Sequence, residues 1–171
     1  MLVVGDSLKK LLETTDLAPL SSFDNTCVRL SLSDTIVRLL PLGKDRCITY
    51  GDPMPQNSYQ YETIKKTLIL QPKEALLASS TEEIKIPVGY FGLLQTKGSL
   101  ARLMVSLHFS DGQVDPGFVG HITFEIFNAS DNKIEIPINA AVGNLYILKT
   151  DGAVDPYKGK YFGSTLPTIQ K

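Results

Sequence analysis

The 171-residue chain has no tryptophan and few cysteines, histidines or methionines, and each scarcity removes a class of reading. Cys27 and Cys47 are too isolated to build a disulfide framework or a Cys-x-x-Cys metal site, so reduced intracellular thiols are expected. No apolar run approaches the roughly 20 residues that span a bilayer. Leu2-Val-Val is cut short by Gly5-Asp6 and basic residues come only afterwards, which is not the order of a secretory leader. An excess of charge of either sign is also lacking. With 17 basic and 18 acidic residues the net charge is -1, which gives no general attraction to nucleic acid, so a charged ligand must be held by local clusters. The expectation is a cytoplasmic protein, of a cell or of a virus-infected host, with no membrane or nucleic-acid partner. There the sequon Asn128-Ala-Ser130 carries no meaning.

What is present is a series of short apolar runs at close spacing. The length suits one domain over residues 1–171, able to bury roughly two-thirds of its unfolded surface. Residues 6–15 read as the one helix, capped by Asp6 or Ser7, with Leu8, Leu11 and Leu12 as its apolar stripe. Strands are expected at 25–32, 36–41, 46–50, 68–71, 75–79, 84–87, 90–96, 103–108, 119–127, 133–138 and 143–148, with a turn at Leu42–Asp45 and a surface loop at 51–62. Many strands with little helix indicate an all-β sandwich or barrel. The glycine- and lysine-rich segment 151–171 reads as a flexible tail.

The chemistry concentrates in residues 97–127. Alternation in the strand over 119–127 puts Ile122, Phe124 and Ile126 on one face and His121, Thr123, Glu125 and Phe127 on the other. A carboxylate among such neighbours needs a partner, a proton, or a pocket that uses it. Arg102 is the candidate partner. In Val114-Asp-Pro-Gly117, Pro116 biases Asp115 toward an extended backbone and Gly117 is free to turn.

Lys97-Gly-Ser-Leu-Ala-Arg102, a strand ending at His108, Val114-Asp-Pro-Gly-Phe118 and Phe124-Glu-Ile-Phe-Asn128 together resemble the dCTP deaminase branch of the dUTPase superfamily, at the family's spacing and without a gap. The family's segments usually read Arg-Ser-Ser-Leu-Ala-Arg, Ile-Asp-Pro-Gly-Trp/Phe and Leu-Glu-x-x-Asn. Val28-Arg-Leu30 resembles the N-terminal Asp-Val-Arg-Leu-Gly motif, with Cys27 in place of the aspartate. Pro156-Tyr157 and Lys160-Tyr-Phe-Gly163 resemble the C-terminal segments that close over a bound triphosphate, and Phe162-Gly-Ser-Thr165 echoes the dUTPase lid.

The resemblance implies a distorted jelly roll or β-barrel of the dUTPase-like type, with a short N-terminal helix, a nucleotide-closing tail and a homotrimeric assembly whose sites lie between subunits. It implies zinc-independent deamination of dCTP to dUTP and ammonia, or a bifunctional reaction that continues to dUMP and pyrophosphate and supplies thymidylate synthesis. The His-x-Glu and Pro-Cys-x-x-Cys signature of zinc deaminases is absent. Glu125 would shuttle protons, and Arg102 would position water and base. Asp115 would bind the sugar 3′-hydroxyl above Phe118. Lys97, Ser99, Tyr157 and Lys160 would hold a triphosphate arriving with Mg2+. His108, Asp111, Tyr161 and Ser164 occupy further substrate-facing positions, and Gly98 replaces a family serine that orients water and base. dCTP and dUTP are the expected ligands and dTTP an expected inhibitor. A dUTP diphosphatase and a non-catalytic nucleotide-binding regulator of the same fold are the alternatives.

Overall fold

A computed structural model describes residues 1–44 and 46–170. The chain runs β1 (Leu2–Val3), α1 (Gly5–Thr14), β2 (Val28–Leu39), β3 (Tyr59–Thr63), β4 (Thr67–Leu70), β5 (Ala75–Lys85), β6 (Tyr90–Thr96), α2 (Gly98–Ala101), β7 (Val105–Ser106), β8 (Gln113–Val114), β9 (Val119–Asn128), β10 (Ile134–Pro137) and β11 (Ala141–Lys149). One antiparallel sheet has the strand order β7-β9-β5-β2-β11-β6-β8, with β1 added to β11 and β3 to β2, while β4 and β10 pair separately. The sheet curls into a half-barrel, as the all-β expectation requires.

The inward side of the curl is apolar because the strands alternate. In β9 the even-numbered positions Ile122, Phe124 and Ile126 are buried and the odd-numbered ones are half-buried. They join Leu30, Leu32 and Ile36 of β2, Leu76 and Ile84 of β5, and Leu145 and Ile147 of β11 in a single core. Each such side chain contributes about 1.5–3 kcal/mol by leaving water. Leu8, Leu11 and Leu12 of α1 belong to the same core. Neither Asp6 nor Ser7 caps this helix. It starts earlier, with Val4 in the N-cap position and no side-chain cap bond, and the Gly5 amide donates to the Asn25 carbonyl at 2.6 Å.

Several boundaries differ from the sequence expectation for tertiary reasons. The runs at 25–32 and 36–41 are one strand, β2, which continues through Ser33-Asp-Thr35 with a register shift against β5. The runs at 75–79 and 84–87 likewise fuse into β5, whose register against β9 shifts between Ser79 and Glu83. Residues 46–50 form no strand, and Tyr50 is almost fully exposed. Asp45, the last residue of the expected turn, lies outside the described residues, as does Lys171. The supposed loop at 51–62 instead delivers β3, which zips onto the edge of β2 from Thr35↔Thr63 to Leu39↔Tyr59. Of the run at 103–108, only Val105 and Ser106 are strand.

Asn128 ends β9 fully buried. Its amide nitrogen donates to the carbonyls of Gln71 at 3.0 Å and Asn132 at 2.8 Å, and its oxygen accepts from the Ser130 amide and hydroxyl. The Ala129 N–H donates to the Met104 carbonyl at 2.8 Å. One polar side chain therefore ties the end of β9 to the turn after β4 and to the 129–132 turn. Among the described residues, no helix is long and apolar enough to cross a membrane.

Candidate active site

Three local structures converge on the half-buried face of β9. The first is the turn at 115–118, where the Phe118 N–H donates to the Asp115 carbonyl at 3.1 Å and Gly117 has φ 82°, as a glycine third in a type II turn requires. The second is the loop between β7 and β8, which brings the Phe109 N–H to within 2.8 Å of Glu125 Oε2. The third is the tail. Its Tyr157 N–H donates to the Pro116 carbonyl at 2.8 Å and its Gly163 N–H to the Val119 carbonyl at 2.7 Å, while its Ser164 carbonyl accepts the His121 N–H at 2.7 Å. Further along, the Thr168 N–H reaches Thr123 Oγ1 at 3.1 Å, and the Gln170 side chain donates to the carbonyls of Thr49 and Asp52.

Two glycines make room for that strap. A Cβ on Gly117 would stand 2.6 Å from Pro156 Cβ, and one on Gly120 would stand 2.9 Å from the backbone N and O of Ser164. Both have positive φ, so any side chain there is disfavoured by conformation as well as by space.

Between these pieces lies a cleft of about 470 Å3, within the range of small-molecule sites. Of the residues expected from the sequence, Glu125, Asp111, Asp115, Phe118, Tyr157, Tyr161 and Ser164 line it. Glu125 does not pair with Arg102. One of its oxygens accepts the Phe109 amide, whereas Arg102 is exposed and folds back on its own turn, Nη1 donating to the Gly98 carbonyl at 3.1 Å. A backbone donor suits a carboxylate that must stay oriented, and the other oxygen has no hydrogen-bond partner among the described residues.

Lys97, Gly98, Ser99 and Arg102 do not line the cleft; they sit on and around α2. A Cβ on Gly98 would meet only Arg102 Nη1, at an ordinary 3.4 Å, so the fold has room for the serine of the family pattern. Lys160 is also off the lining, with its ammonium 5.4 Å from the Tyr161 ring centre. The His108 ring stands behind Gly112, and its Nδ1 is buried with no hydrogen-bond partner among the described residues. Cys27 is 3% exposed. Burial, reinforced by Asp24, pushes its thiol above the usual cysteine range, so the position holds a neutral thiol where the family pattern has a carboxylate.

The sequence reading missed cleft residues on other elements: Leu77, Gln113, Thr168 and Gln170. It placed His121 and Thr123 on the correct face of β9 and gave them no part. The alternation that singled out Glu125 was the available signal for both.

A family model for dCTP deaminase-like domains matches residues 8–150. A curated dCTP deaminase, dUMP-forming, of Corynebacterium kroppenstedtii is 33% identical over 163 residues, covering 89% of this chain and 87% of that protein. The one of Methanoculleus marisnigri is 34% identical over 99 residues, 58% of this chain and 53% of that protein. Among solved structures, the 2'-deoxycytidine 5'-triphosphate deaminase of Agrobacterium tumefaciens has the same fold, with a TM-score of 0.64 at 11% identity over 85% of this chain. The present chain spans just under half of it, 47%. With the family model covering most of the chain and a relative aligned over nearly its whole length, the chain belongs to the dCTP deaminase-like family.

Proposed function

We propose that this protein hydrolyses dCTP to ammonia and dUTP and carries the product on to dUMP and pyrophosphate. The observation that carries the reading is the placement of Glu125. It stands on β9 with one oxygen pinned by the Phe109 amide, in the cleft that Asp115 and Phe118 also line. In this reading Glu125 takes a proton from water as its oxygen adds to C4 of the pyrimidine, and delivers that proton to N3. It then moves the hydroxyl proton to the amino group, which leaves as ammonia while C4 becomes a carbonyl. Asp115 accepts from the 3′-hydroxyl and Phe118 packs under the deoxyribose.

Magnesium in this reading is carried by the phosphates, whose hard oxygens suit it. The buried thiol of Cys27 offers this ion nothing. The same reduced thiols agree with a cytoplasmic location, where dUMP would feed thymidylate synthesis. With Mg2+ present, dCTP is expected to yield ammonia, dUMP and pyrophosphate. Accumulating dUTP would mean that deamination is the only step. Pyrophosphate from dUTP without ammonia from dCTP would mark a diphosphatase, and binding without products a regulator.

The separation of Arg102 and Ser99 from the cleft supports a site completed by a second copy. The exposed apolar side chains of Leu103 and Met104, which follow α2 in the chain, and of Phe109, in the loop after β7, are the kind of surface that subunit contact covers. We propose a homotrimer in which the α2 turn of one subunit faces the Glu125 cleft of the next. Subunits carrying Glu125→Gln and subunits carrying Arg102→Ala, each nearly inactive alone, should regain activity when refolded together, because some interfaces then hold both intact residues. A mixture no more active than its parts, or a fully active monomer in light scattering, would sink the shared site.

A further inference from the structure

The half-buried face of β9 presents a second ionisable residue to the cleft, four positions before Glu125. His121 lines the cleft, and its Nδ1 lies 2.8 Å from the Ser80 carbonyl oxygen. A carbonyl only accepts, so Nδ1 carries the hydrogen and Nε2 is the nitrogen left for another partner. The anchor is firm. Ser80 is fully buried where β5 slips register against β9, and its hydroxyl accepts the Ile122 N–H at 2.9 Å while donating to the Glu82 carbonyl at 2.7 Å. Irregularities of this kind re-aim side chains beside functional sites. The facing residue on β5 is Glu83, which is engaged with Lys85 at 3.4 Å.

Four residues of extended strand separate the Cα atoms of His121 and Glu125 by about 13 Å. That is comparable to the span from C4 of a pyrimidine to the outer phosphates of an extended nucleotide. His121 is also where the strap crosses β9: its own N–H holds the Ser164 carbonyl, and Tyr161 and Ser164 line the cleft there.

We propose that His121 is a phosphate-contacting residue, gripping the outer phosphates through Nε2 while Ser80 fixes the ring. The proposal rests on the reading that the cleft takes a deoxycytidine triphosphate with its pyrimidine at Glu125. A phosphate oxygen only accepts, so the contact it would make is a charge-assisted hydrogen bond received from Nε2.

His121→Asn retains a donor where Nδ1–H reaches Ser80 and lacks Nε2, whereas His121→Gln places an amide near the Nε2 position. In the full-length protein with Mg2+, His121→Asn should raise the KM for dCTP, and the inhibition constant of inorganic tripolyphosphate, about 10- to 100-fold, as expected for one charge-assisted bond. The loss should fall on KM, with kcat at saturation and the affinity for dCMP changing much less. His121→Gln should recover part of the loss, and it carries the test if the asparagine variant fails to fold. Unchanged KM and tripolyphosphate inhibition, or an equal loss for dCMP, would overturn the assignment. If the wild-type protein released no ammonia from dCTP, the deaminase reading would fail while tripolyphosphate binding still decided His121. Weaker binding in the asparagine variant would keep it, and equal binding would reject it.

Discussion

Glu125→Gln should lower ammonia release from dCTP by at least about 10²-fold, the usual weight of general acid–base catalysis, while nucleotide binding persists. Glutamine has the shape of glutamate, and its amide oxygen can still accept the Phe109 N–H that now ends at Oε2. The substitution therefore removes the proton shuttle and little else. Because Glu125 is paired across the ladder with Leu77 and makes no ion pair among the described residues, no partner charge is stranded by its loss. Thermal unfolding should stay near that of the wild type, which separates lost chemistry from lost structure. Ammonia release at close to the wild-type rate would show that another group moves the protons.

The second large effect concerns the strap. Deleting residues 156–171 takes Tyr157, Tyr161, Ser164, Thr168 and Gln170 out of the cleft wall, and turnover should fall on the order of 10²-fold, as for other losses of substrate positioning. The core should survive, since none of the tail's apolar side chains belongs to its buried cluster. Gly120→Val tests the same idea without a deletion. Its branched side chain would press on the Ser164 backbone at a site where φ is 145°, lifting the strap off β9. If either variant turned over dCTP as fast as the intact chain, closure by the tail would not matter to the reaction.

How far the sequence spoke for itself differs from residue to residue. The period-two pattern of β9 placed Ile122, Phe124 and Ile126 inside and Glu125 on the half-buried face without any knowledge of partners, because alternation is a local property. The bounds of β6 and the turn at Gly117 were legible for the same reason. What was not legible depended on distant segments. Ser33-Asp-Thr35 looks like a break, yet β2 continues through it because β5 pairs with Leu32 before a register shift and with Ile36 after it, and β3 joins from Thr35. Gln60 and Tyr61 look like loop until the edge of β2 pairs with them. The expected pair of Arg102 with Glu125 came from sequence proximity to a strand. In the fold, the Phe109 amide takes that place, and a backbone donor leaves no trace in side-chain pattern.

Asn128 carries a consequence for the chemical ageing of the protein. Oligosaccharide transfer to a sequon needs a free side-chain amide, and this one donates to main-chain carbonyls inside the folded domain. Spontaneous deamidation needs the following main-chain nitrogen to attack the side-chain carbonyl carbon, but the Ala129 nitrogen is held by Met104. The same knot that fastens the end of β9 thus shields the residue from both modifications. Asn128 can be glycosylated or deamidated only in chains that have not yet folded, or that have come undone at this corner.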